Sequence, residues 1–224
     1  MLDKKSRQII ENAKALGWIL EPDAKQIMKL QGLDIPEFVL TQDMDTAQQF
    51  LKQIKGPVVA KAISKKILHK TEFHAVATHI QTPDQLKVQM ERLQQLDGCQ
   101  AILVEQMIQG IEVLVGAKND IQFGPVVVLG IGGTSVEIYN DTAIRMAPIK
   151  SDDVMSMVQS LKAKQLITGY RGSSGVNMEK LTHLIITFSK LIMEFEDQMD
   201  SVDLNPVICT QDRCVIADAR IILQ

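Results

Sequence analysis

The chain has 224 residues, of which 46% are hydrophobic, enough for one or two domains with buried cores. Its 24 basic and 27 acidic residues leave a net charge of −3, and aromatic residues make up only 4%. This balance argues against a nucleic-acid partner, because nucleic-acid binding usually needs a basic excess and aromatic stacking platforms. The longest apolar runs, such as 125–131, fall far below the ~18 residues of a membrane span, which argues against a membrane protein.

The number and spacing of the cysteines indicate the cellular compartment. The three cysteines, Cys99, Cys209 and Cys214, form no Cys-x-x-Cys motif, and their odd number leaves one unmatched in any disulfide scheme. The N-terminus carries charges but no apolar stretch of the kind found in a secretory signal. We therefore expect a location in the reducing cytoplasm.

Helical periodicity dominates the first half of the chain. Apolar spacing predicts helices over about 4–17, 21–32, 45–55 and 82–96. Thr82 and Gln85 have the spacing of a capping box, in which each side chain bonds to the backbone of the other residue. Between the third and fourth helices, the β-branched run 57–63 predicts a buried strand.

The second half is richer in strands. Short strands are predicted at 101–105, 111–116, 125–130, 135–139 and 143–146, helices from about 151 and over 178–196, and closing strands at 201–209 and 214–222. A hairpin between the first two strands would bring Glu105 and Glu112 to neighbouring positions; alternatively, each is a charge at the rim. The whole order predicts an α/β fold with a more antiparallel C-terminal lobe.

Lys61 lies within the predicted buried strand, where an unpaired charge is costly. It is either an edge residue whose ammonium reaches solvent or a cation held for an anionic ligand. Directly after this strand, residues 64–71 concentrate three lysines and His69. That run is either a solvated basic loop or a loop that handles phosphate, because imidazole accepts protons and phosphoryl groups.

Two further segments allow a functional and a structural interpretation. The glycines of 130–134 let backbone amides approach an anion, or they simply form a turn; no Walker motif follows them. Asn205 and Asp218 lie on the two closing strands. They offer the hard oxygen atoms that Mg²⁺ prefers, or they merely end strand pairing.

Eight short segments occur in the order of one known family: 57–61, 67–70, 103–107, 112–116, 123–127, 130–136, 169–172 and 203–206. They resemble the ATP-grasp β subunit of ADP-forming (NDP-forming) acetate and acyl-CoA synthetases, which is related to the succinyl-CoA synthetase β chain. The resemblance runs from about residue 18 to the C-terminus.

The resemblance implies an α/β (α+β) ATP-grasp fold in which two lobes enclose a nucleotide. The lobes would be residues 1–105, with the leading helices, and residues 106–224. The implied ligands are ATP or ADP and Mg²⁺. By position, the resemblance implies phosphate contact for Lys61, adenine contact for Glu105 and Met107, ribose contact for Glu112, and magnesium binding for Asn205 and Asp218.

For His69, the resemblance implies a catalytic role in relaying a phosphoryl group between the nucleotide and a phosphohistidine on a partner α subunit. The implied reaction is acyl-CoA + ADP + phosphate ⇌ carboxylic acid + CoA + ATP. The CoA-binding and phosphohistidine domains are expected on that separate α subunit, in an α2β2 heterotetramer.

One departure from the family pattern concerns the nucleotide. The family continues after the histidine with a double glycine, whereas this chain has His74 and Ala75, whose bulk is expected to crowd a backbone close to phosphate. Two other functions therefore stay open. One is a degenerate ATP-grasp module that binds nucleotide or a partner protein without catalysis. The other is a carboxylate-amine ligase of the same fold, which would form acyl phosphates and need no histidine.

Overall fold

The computed structural model describes residues 2–68, 70, 72–133 and 141–224. Contacts divide the chain into two compact units, Met1–Ile35 with Gln109–Gln224, and Pro36–Ile108. We name the first the large unit and the second the small unit. Within the described ranges, no helix combines the length and apolar character that a membrane span requires.

The described residues form seven α-helices: α1 (Lys4–Ala13), α2 (Glu21–Leu30), α3 (Met44–Gln53), α4 (Pro83–Gln94), α5 (Ser151–Ser160), α6 (Gln165–Thr168) and α7 (Met178–Met193). The strands are β1 (Trp18–Ile19), β2 (Phe38–Thr41), β3 (Val58–Ser64), β4 (Val76–Ile80), β5 (Cys99–Gln106), β6 (Ile111–Asp120), β7 (Gly124–Ile131), β8 (Thr142–Met146), β9 (Gly169–Tyr170), β10 (Ser173–Ser174), β11 (Met199–Cys209), β12 (Cys214–Ile216) and β13 (Arg220–Leu223). The expected strand 135–139 lies outside the described residues, and the expected strand 214–222 is two strands, β12 and β13.

The small unit is a four-stranded antiparallel sheet, in the order β2-β5-β3-β4, with α3 and α4 against it. Alternate residues of β3, such as Val58 and Ala60, join the core with Leu86 and Met90 of α4. The other residues of β3 lie on the opposite face because side chains alternate along a strand. Every residue of β3 is nevertheless buried, as the sequence predicts for this strand.

Helix α4 begins at the capping box that the sequence predicts. The Thr82 hydroxyl accepts a hydrogen bond from the Gln85 N–H at 3.2 Å, and the Gln85 side chain accepts one from the Thr82 N–H at 3.3 Å. Both backbone N–H groups at the helix start are thereby satisfied.

The large unit contains an antiparallel sheet of seven described strands, in the order β1-β13-β11-β6-β7-β8, with β12 paired to β11. Val113 and Val115 of β6 point into a core that also holds Leu184 and Phe188 of α7. The side chains between them point the opposite way. We call that opposite side, which carries Glu112, the outer face.

The first residues of the chain belong to the large unit. Strand β1 pairs with β13, Trp18 opposite Ile222, and Ile10 and Ile27 of the two leading helices are buried in the same core. The compact units therefore differ from the expected lobes in the placement of Met1–Ile35, whereas the change of unit after Ile108 lies close to the expected boundary at residue 105.

The expected hairpin between β5 and β6 does not form. Strand β5 pairs with β2 and β3 in the small unit, whereas β6 pairs with β7 and β11 in the large unit. The Met107 N–H donates to the Pro57 carbonyl at 3.0 Å. The chain after β5 therefore stays hydrogen-bonded alongside β3 at residues where a β5/β6 hairpin would begin its turn. Glu105 and Glu112 are consequently not cross-strand neighbours.

Truncation of Phe188 tests the core of the large unit. Because Phe188 is fully buried, we expect Phe188→Ala to lower the free energy of unfolding by about 3–5 kcal/mol. The same truncation at Phe123, which is 58% exposed, should change it by about 0.5 kcal/mol or less. Urea denaturation followed by circular dichroism measures both values, and equal losses would contradict the assignment of this core.

Candidate functional site

Lys61 and Glu105 form a buried ion pair in the small unit. Lys61 Nζ lies 2.8 Å from Glu105 Oε1, and the two side chains are 6% and 2% exposed. Lys61 stands opposite Leu103, and Glu105 opposite Val59, so both point to the same face of the sheet, away from α3 and α4. The interpretation of Lys61 as a solvent-reaching edge residue is wrong, because β3 is an inner strand.

A buried ion pair of this kind is rarely needed for stability. Desolvation of two charges costs several kcal/mol per ion, and well-packed apolar residues of similar size often stabilise a protein as much or more. The Glu105 carboxylate does, however, compensate the charge of the buried Lys61 ammonium and fix its position. The pair can therefore keep the Lys61 ammonium at a fixed position that is shielded from solvent.

Met107 follows β5 by one residue. Its N–H is the donor to the Pro57 carbonyl described above, and the Gln106 N–H donates to the Glu37 carbonyl at 2.9 Å. The end of β5 is therefore held by backbone bonds on both sides, which positions the half-buried Met107 relative to Glu105.

The basic segment after β3 is described only in part. Lys66 Nζ lies 2.9 Å from Asp97 Oδ1 in a pair whose side chains are 64% and 77% exposed. For Lys66, the solvated interpretation therefore holds. His69, the residue expected to relay a phosphoryl group, lies outside the described residues.

His74 and Ala75 occupy an anchored turn after this segment. His74 has a φ of +50°, in the left-handed region that favours glycine, and its side chain is exposed. Its carbonyl accepts a bond from Arg92 Nη1 at 2.6 Å. The Ala75 N–H donates to the Lys70 carbonyl at 2.8 Å, and the Ala75 carbonyl accepts from the Ala62 N–H at 2.9 Å. The chain thus keeps a glycine-type backbone where it carries a histidine.

In the large unit, Glu112 lies against the glycines that follow β7. The Gly132 N–H donates to the Glu112 carbonyl oxygen at 2.7 Å. A Cβ at Gly132 would lie 2.8 Å from the Glu112 carbonyl carbon, and one at Gly133 would lie 2.9 Å from Glu112 Oε2. Gly133 also has a φ of +80°. A side chain at Gly132 would collide with backbone, and one at Gly133 would be strained by its φ, so backbone and an exposed carboxylate meet there.

Asn205 and Asp218 lie on neighbouring segments of the large unit. Asn205 is exposed and sits in an irregularity of β11, between the paired positions Leu204 and Val207. Asp218 lies between β12 and β13, where its N–H donates to the Pro206 carbonyl at 3.4 Å. The Asp218 carboxylate accepts from the Ala219 N–H at 2.8 Å. The structure therefore brings together the two residues predicted as magnesium ligands.

These two donors fit a metal that is bound together with a nucleotide. Within the described ranges, no group of three or more His, Cys, Asp or Glu side chains is arranged to hold a metal ion. Mg²⁺ needs only one or two protein oxygens when phosphates and waters complete its shell. An amide oxygen from Asn205 and a carboxylate from Asp218 satisfy that requirement.

Two ion pairs of the large unit were not predicted from the sequence. Arg220 Nη2 lies 3.1 Å from Asp203 Oδ2 on the strands that lead to Asn205 and Asp218. Lys25 and Glu21 of α2 lie 2.8 Å apart with side chains 0% and 2% exposed. The second pair has a local signal, because a Glu four residues before a Lys favours contact on a helix. The first has none, since only the register of β11 and β13 pairs its residues.

Comparison with known proteins identifies the family. The sequence profile of the ATP-grasp domain matches residues 12–223. The β subunit of acetate–CoA ligase (ADP-forming) I from Pyrococcus furiosus is 35% identical over 228 residues, 98% of each chain. The chain belongs to the ATP-grasp family, among the β subunits of ADP-forming acetate–CoA ligases, so the resemblance and the predicted fold are confirmed.

Comparison with solved structures supports the same family. PH1788 from Pyrococcus horikoshii superimposes with a TM-score of 0.91 and 32% identity, covering 100% of this chain and 99% of that one. Acetyl-coenzyme A synthetase 1 of Ca. Korarchaeum cryptofilum superimposes with a TM-score of 0.83 and 29% identity, covering 98% and 100%. That structure contains coenzyme A and Mg-AMPPCP, and its phosphohistidine segment points towards the nucleotide binding site.

The buried ion pair yields a stability prediction. Lys61→Ala removes an ammonium 2.8 Å from a buried carboxylate, so we expect a loss of about 3–5 kcal/mol in the free energy of unfolding. Lys66→Ala removes an exposed pair of the same unit and should cost about 1 kcal/mol or less. Chemical denaturation gives both values. A double change, Lys61→Met with Glu105→Leu, should recover much of the loss; an equally small effect of both single changes would contradict the buried pair.

The backbone of His74 yields a second prediction. In the left-handed region a residue with a Cβ pays roughly 1–2 kcal/mol, so we expect His74→Gly to be about 1 kcal/mol more stable than His74→Ala. His183 is an exposed residue inside α7, where the order should reverse, because glycine costs about 1 kcal/mol relative to alanine in a helix. Melting curves of the four variants measure the stability difference between glycine and alanine at each position. If that difference has the same sign at both positions, the left-handed backbone at His74 is contradicted.

Proposed function

We propose that this chain is the nucleotide-binding β subunit of an ADP-forming acyl-CoA synthetase, an acid–CoA ligase. The enzyme would interconvert acyl-CoA, ADP and phosphate with a carboxylic acid, CoA and ATP. The observation that carries the proposal is the end-to-end match with the P. furiosus β subunit, which spans 98% of both chains. The buried cation and the paired oxygen donors are the chemistry that such a subunit requires.

Lys61 is proposed to neutralise nucleotide phosphate oxygens. Phosphoryl transfer depends mostly on positioning and on fixed charges that meet the developing charge of the transferred group. The Glu105 carboxylate holds the ammonium in place at 2.8 Å. This division of labour explains why a costly buried pair is retained at a position where apolar residues would serve the sheet equally well.

The remaining nucleotide contacts are proposed at strand ends. Met107, at the end of β5, would lie against the adenine, together with Glu105. Glu112 would accept hydrogen bonds from the ribose hydroxyls, because its carboxylate is exposed beside a turn without side chains. Glycines at that turn leave room for a ligand to approach the backbone closely.

Asn205 and Asp218 are proposed to hold Mg²⁺. The metal, when bound, neutralises phosphate charge and orients the transferred group. The chain's own contribution is the geometry: the irregularity in β11 exposes Asn205, and the bond from the Asp218 N–H to Pro206 keeps the two donors on adjacent segments. The Mg-AMPPCP complex of the K. cryptofilum relative supports a magnesium nucleotide as the ligand.

His69 is proposed as the catalytic residue. A ring nitrogen would attack the terminal phosphorus of ATP, with ADP leaving. The phosphoryl group would then pass to a histidine of a separate α subunit, which becomes the phosphohistidine while the bond from His69 to phosphorus breaks. That subunit would also carry the CoA-binding domain, in an α2β2 assembly. The name of the P. furiosus relative, a β subunit, supports an enzyme of several subunits. The cytoplasm stays the predicted location.

Reconstitution tests the proposal. The chain, mixed with its partner α subunit, should form ATP from acyl-CoA, ADP and phosphate. His69→Ala should reduce this activity by about 10²–10⁴-fold, because a group that takes part in the chemical step contributes on that order. The matched control is His183→Ala, an exposed helix residue, which should leave the activity unchanged. After incubation with γ-labelled ATP, acid-labile label should appear on the protein of the mixture. This label should be lost with His69→Ala.

A second candidate is a degenerate ATP-grasp module without catalysis. It is favoured by the replacement of the family's double glycine with His74 and Ala75. Calorimetry separates the two proposals: Mg-nucleotide binding together with complete inactivity of the reconstituted mixture would support the degenerate module. Activity that survives His69→Ala would instead favour a ligase that forms acyl phosphates directly.

A further inference from the structure

Cys209 and Cys214 face each other across the last hairpin of the chain. They are direct cross-strand partners in the β11/β12 ladder, separated by a four-residue connection, 210–213. Both belong to the core of the large unit, with exposures of 1% and 5%. The third cysteine, Cys99, is half-buried and belongs to the small unit.

The hydrogen bonds of the ladder define what kind of pair this is. The Thr210 N–H donates to the Arg213 carbonyl at 2.8 Å, and the Ala217 N–H donates to the Pro206 carbonyl at 3.0 Å. Bonded and non-bonded pairs alternate in an antiparallel ladder. Cys209 and Cys214, the pair next to 210 and 213, therefore form a non-hydrogen-bonded pair. In this type of pair the side chains lie closer together.

This pair type suits a disulfide. Its Cα atoms lie about 4.5 Å apart, within the roughly 4.4–6.8 Å range of disulfides. The neighbouring Cys214 thiol, followed by burial, raises the pKa of Cys209. Residues directly opposite each other in an antiparallel ladder project to the same face of the sheet, so the two thiols are neighbours.

We propose that Cys209 and Cys214 form a reversible disulfide when the folded chain meets a hydroperoxide. Hydrogen peroxide is nearly as small as water, so it can reach sulfur atoms that larger oxidants cannot. The Cys214 thiolate, the more exposed of the two, attacks one peroxide oxygen; the O–O bond breaks, and one water leaves with the thiol proton. Cys214 becomes a sulfenic acid.

The Cys209 thiol then attacks the sulfenic sulfur. The S–S bond forms, the S–O bond breaks, and a second water leaves with the second thiol proton. The two thiols lose two electrons in total, and the peroxide gains them. A thiol reductant reverses the reaction. This chemistry is independent of whether the chain binds nucleotide.

The disulfide would fasten a hairpin with two structural roles. Its tip holds Asn177, the N-cap residue of α7, because the Asn177 N–H donates to the Thr210 carbonyl at 2.8 Å and Asn177 Nδ2 donates to the Gln211 carbonyl at 3.0 Å. Its other end leads to Asn205 in β11 and, two residues past the end of β12, to Asp218. Oxidation would therefore link both sides of the segment that presents the proposed magnesium ligands.

Peptide mapping tests the proposal directly. The folded chain carrying Cys99→Ser, which retains two cysteines, is treated with hydrogen peroxide, quenched, denatured and digested with trypsin without reductant. Trypsin cleaves at Arg213, between the two cysteines, so Cys209 and Cys214 fall on different peptides. We expect those peptides to stay joined, with a mass two hydrogens below their sum, and to separate after reduction.

Controls distinguish the pair from general thiol oxidation. Cys214→Ser, in the same Cys99→Ser background, should give no joined peptides and no disulfide-linked dimer on non-reducing electrophoresis. The native chain with Cys99 present should give the same joined pair, with Cys99 still open to alkylation. Separate peptides, or sulfinic acid on either cysteine without joining, would overturn the proposal, as would a bond from Cys99 to either partner.

Discussion

The pairing of β6 with β11 is the constraint on which the large unit depends. Both strands are long and inner, and their register decides which side chains enter the core and which reach the outer face. Val113 therefore lies in the core while Glu112 is exposed beside Gly132. The same ladder of β6 and β11 contains the irregularity at Asn205. The residues of β11 before and after this irregularity must keep their apolar side chains on the core face of the sheet. A slip of one residue would bury Glu112 and expose the valines.

The small unit depends on a different balance. Its sheet buries Lys61 and Glu105 on the face opposite the helices, a place where each charge alone would be prohibitively expensive. Together they form a pair that contributes little to stability but strongly penalises the loss of either partner. The pair does keep a positive charge at a fixed position in the sheet. The arrangement fits a subunit whose proposed task is to hold phosphate groups rather than to make and break carbon bonds.

Local features were predictable because their causes are local. The capping box of Thr82 and Gln85 depends on a spacing of three residues, and the helices end close to the predicted residues because apolar periodicity stops there. The closeness of Asn205 and Asp218 along the chain fold was also predictable, since one lies in β11 and the other just past its partner strand β12; their binding of magnesium stays a prediction. The hairpin between β5 and β6 was predicted wrongly, because two apolar strands and a short loop do not reveal that each strand has other partners.

The sequence by itself determined the family, the strand and helix types and the residue chemistry available at each position, since these depend on composition and spacing along the chain. Only the tertiary structure decided that Lys61 pairs with Glu105, that Arg220 pairs with Asp203, and that Cys209 faces Cys214. It also decided that the leading helices belong to the large unit. Each of these depends on strand order and register, which long-range burial of apolar surface selects and no local pattern encodes.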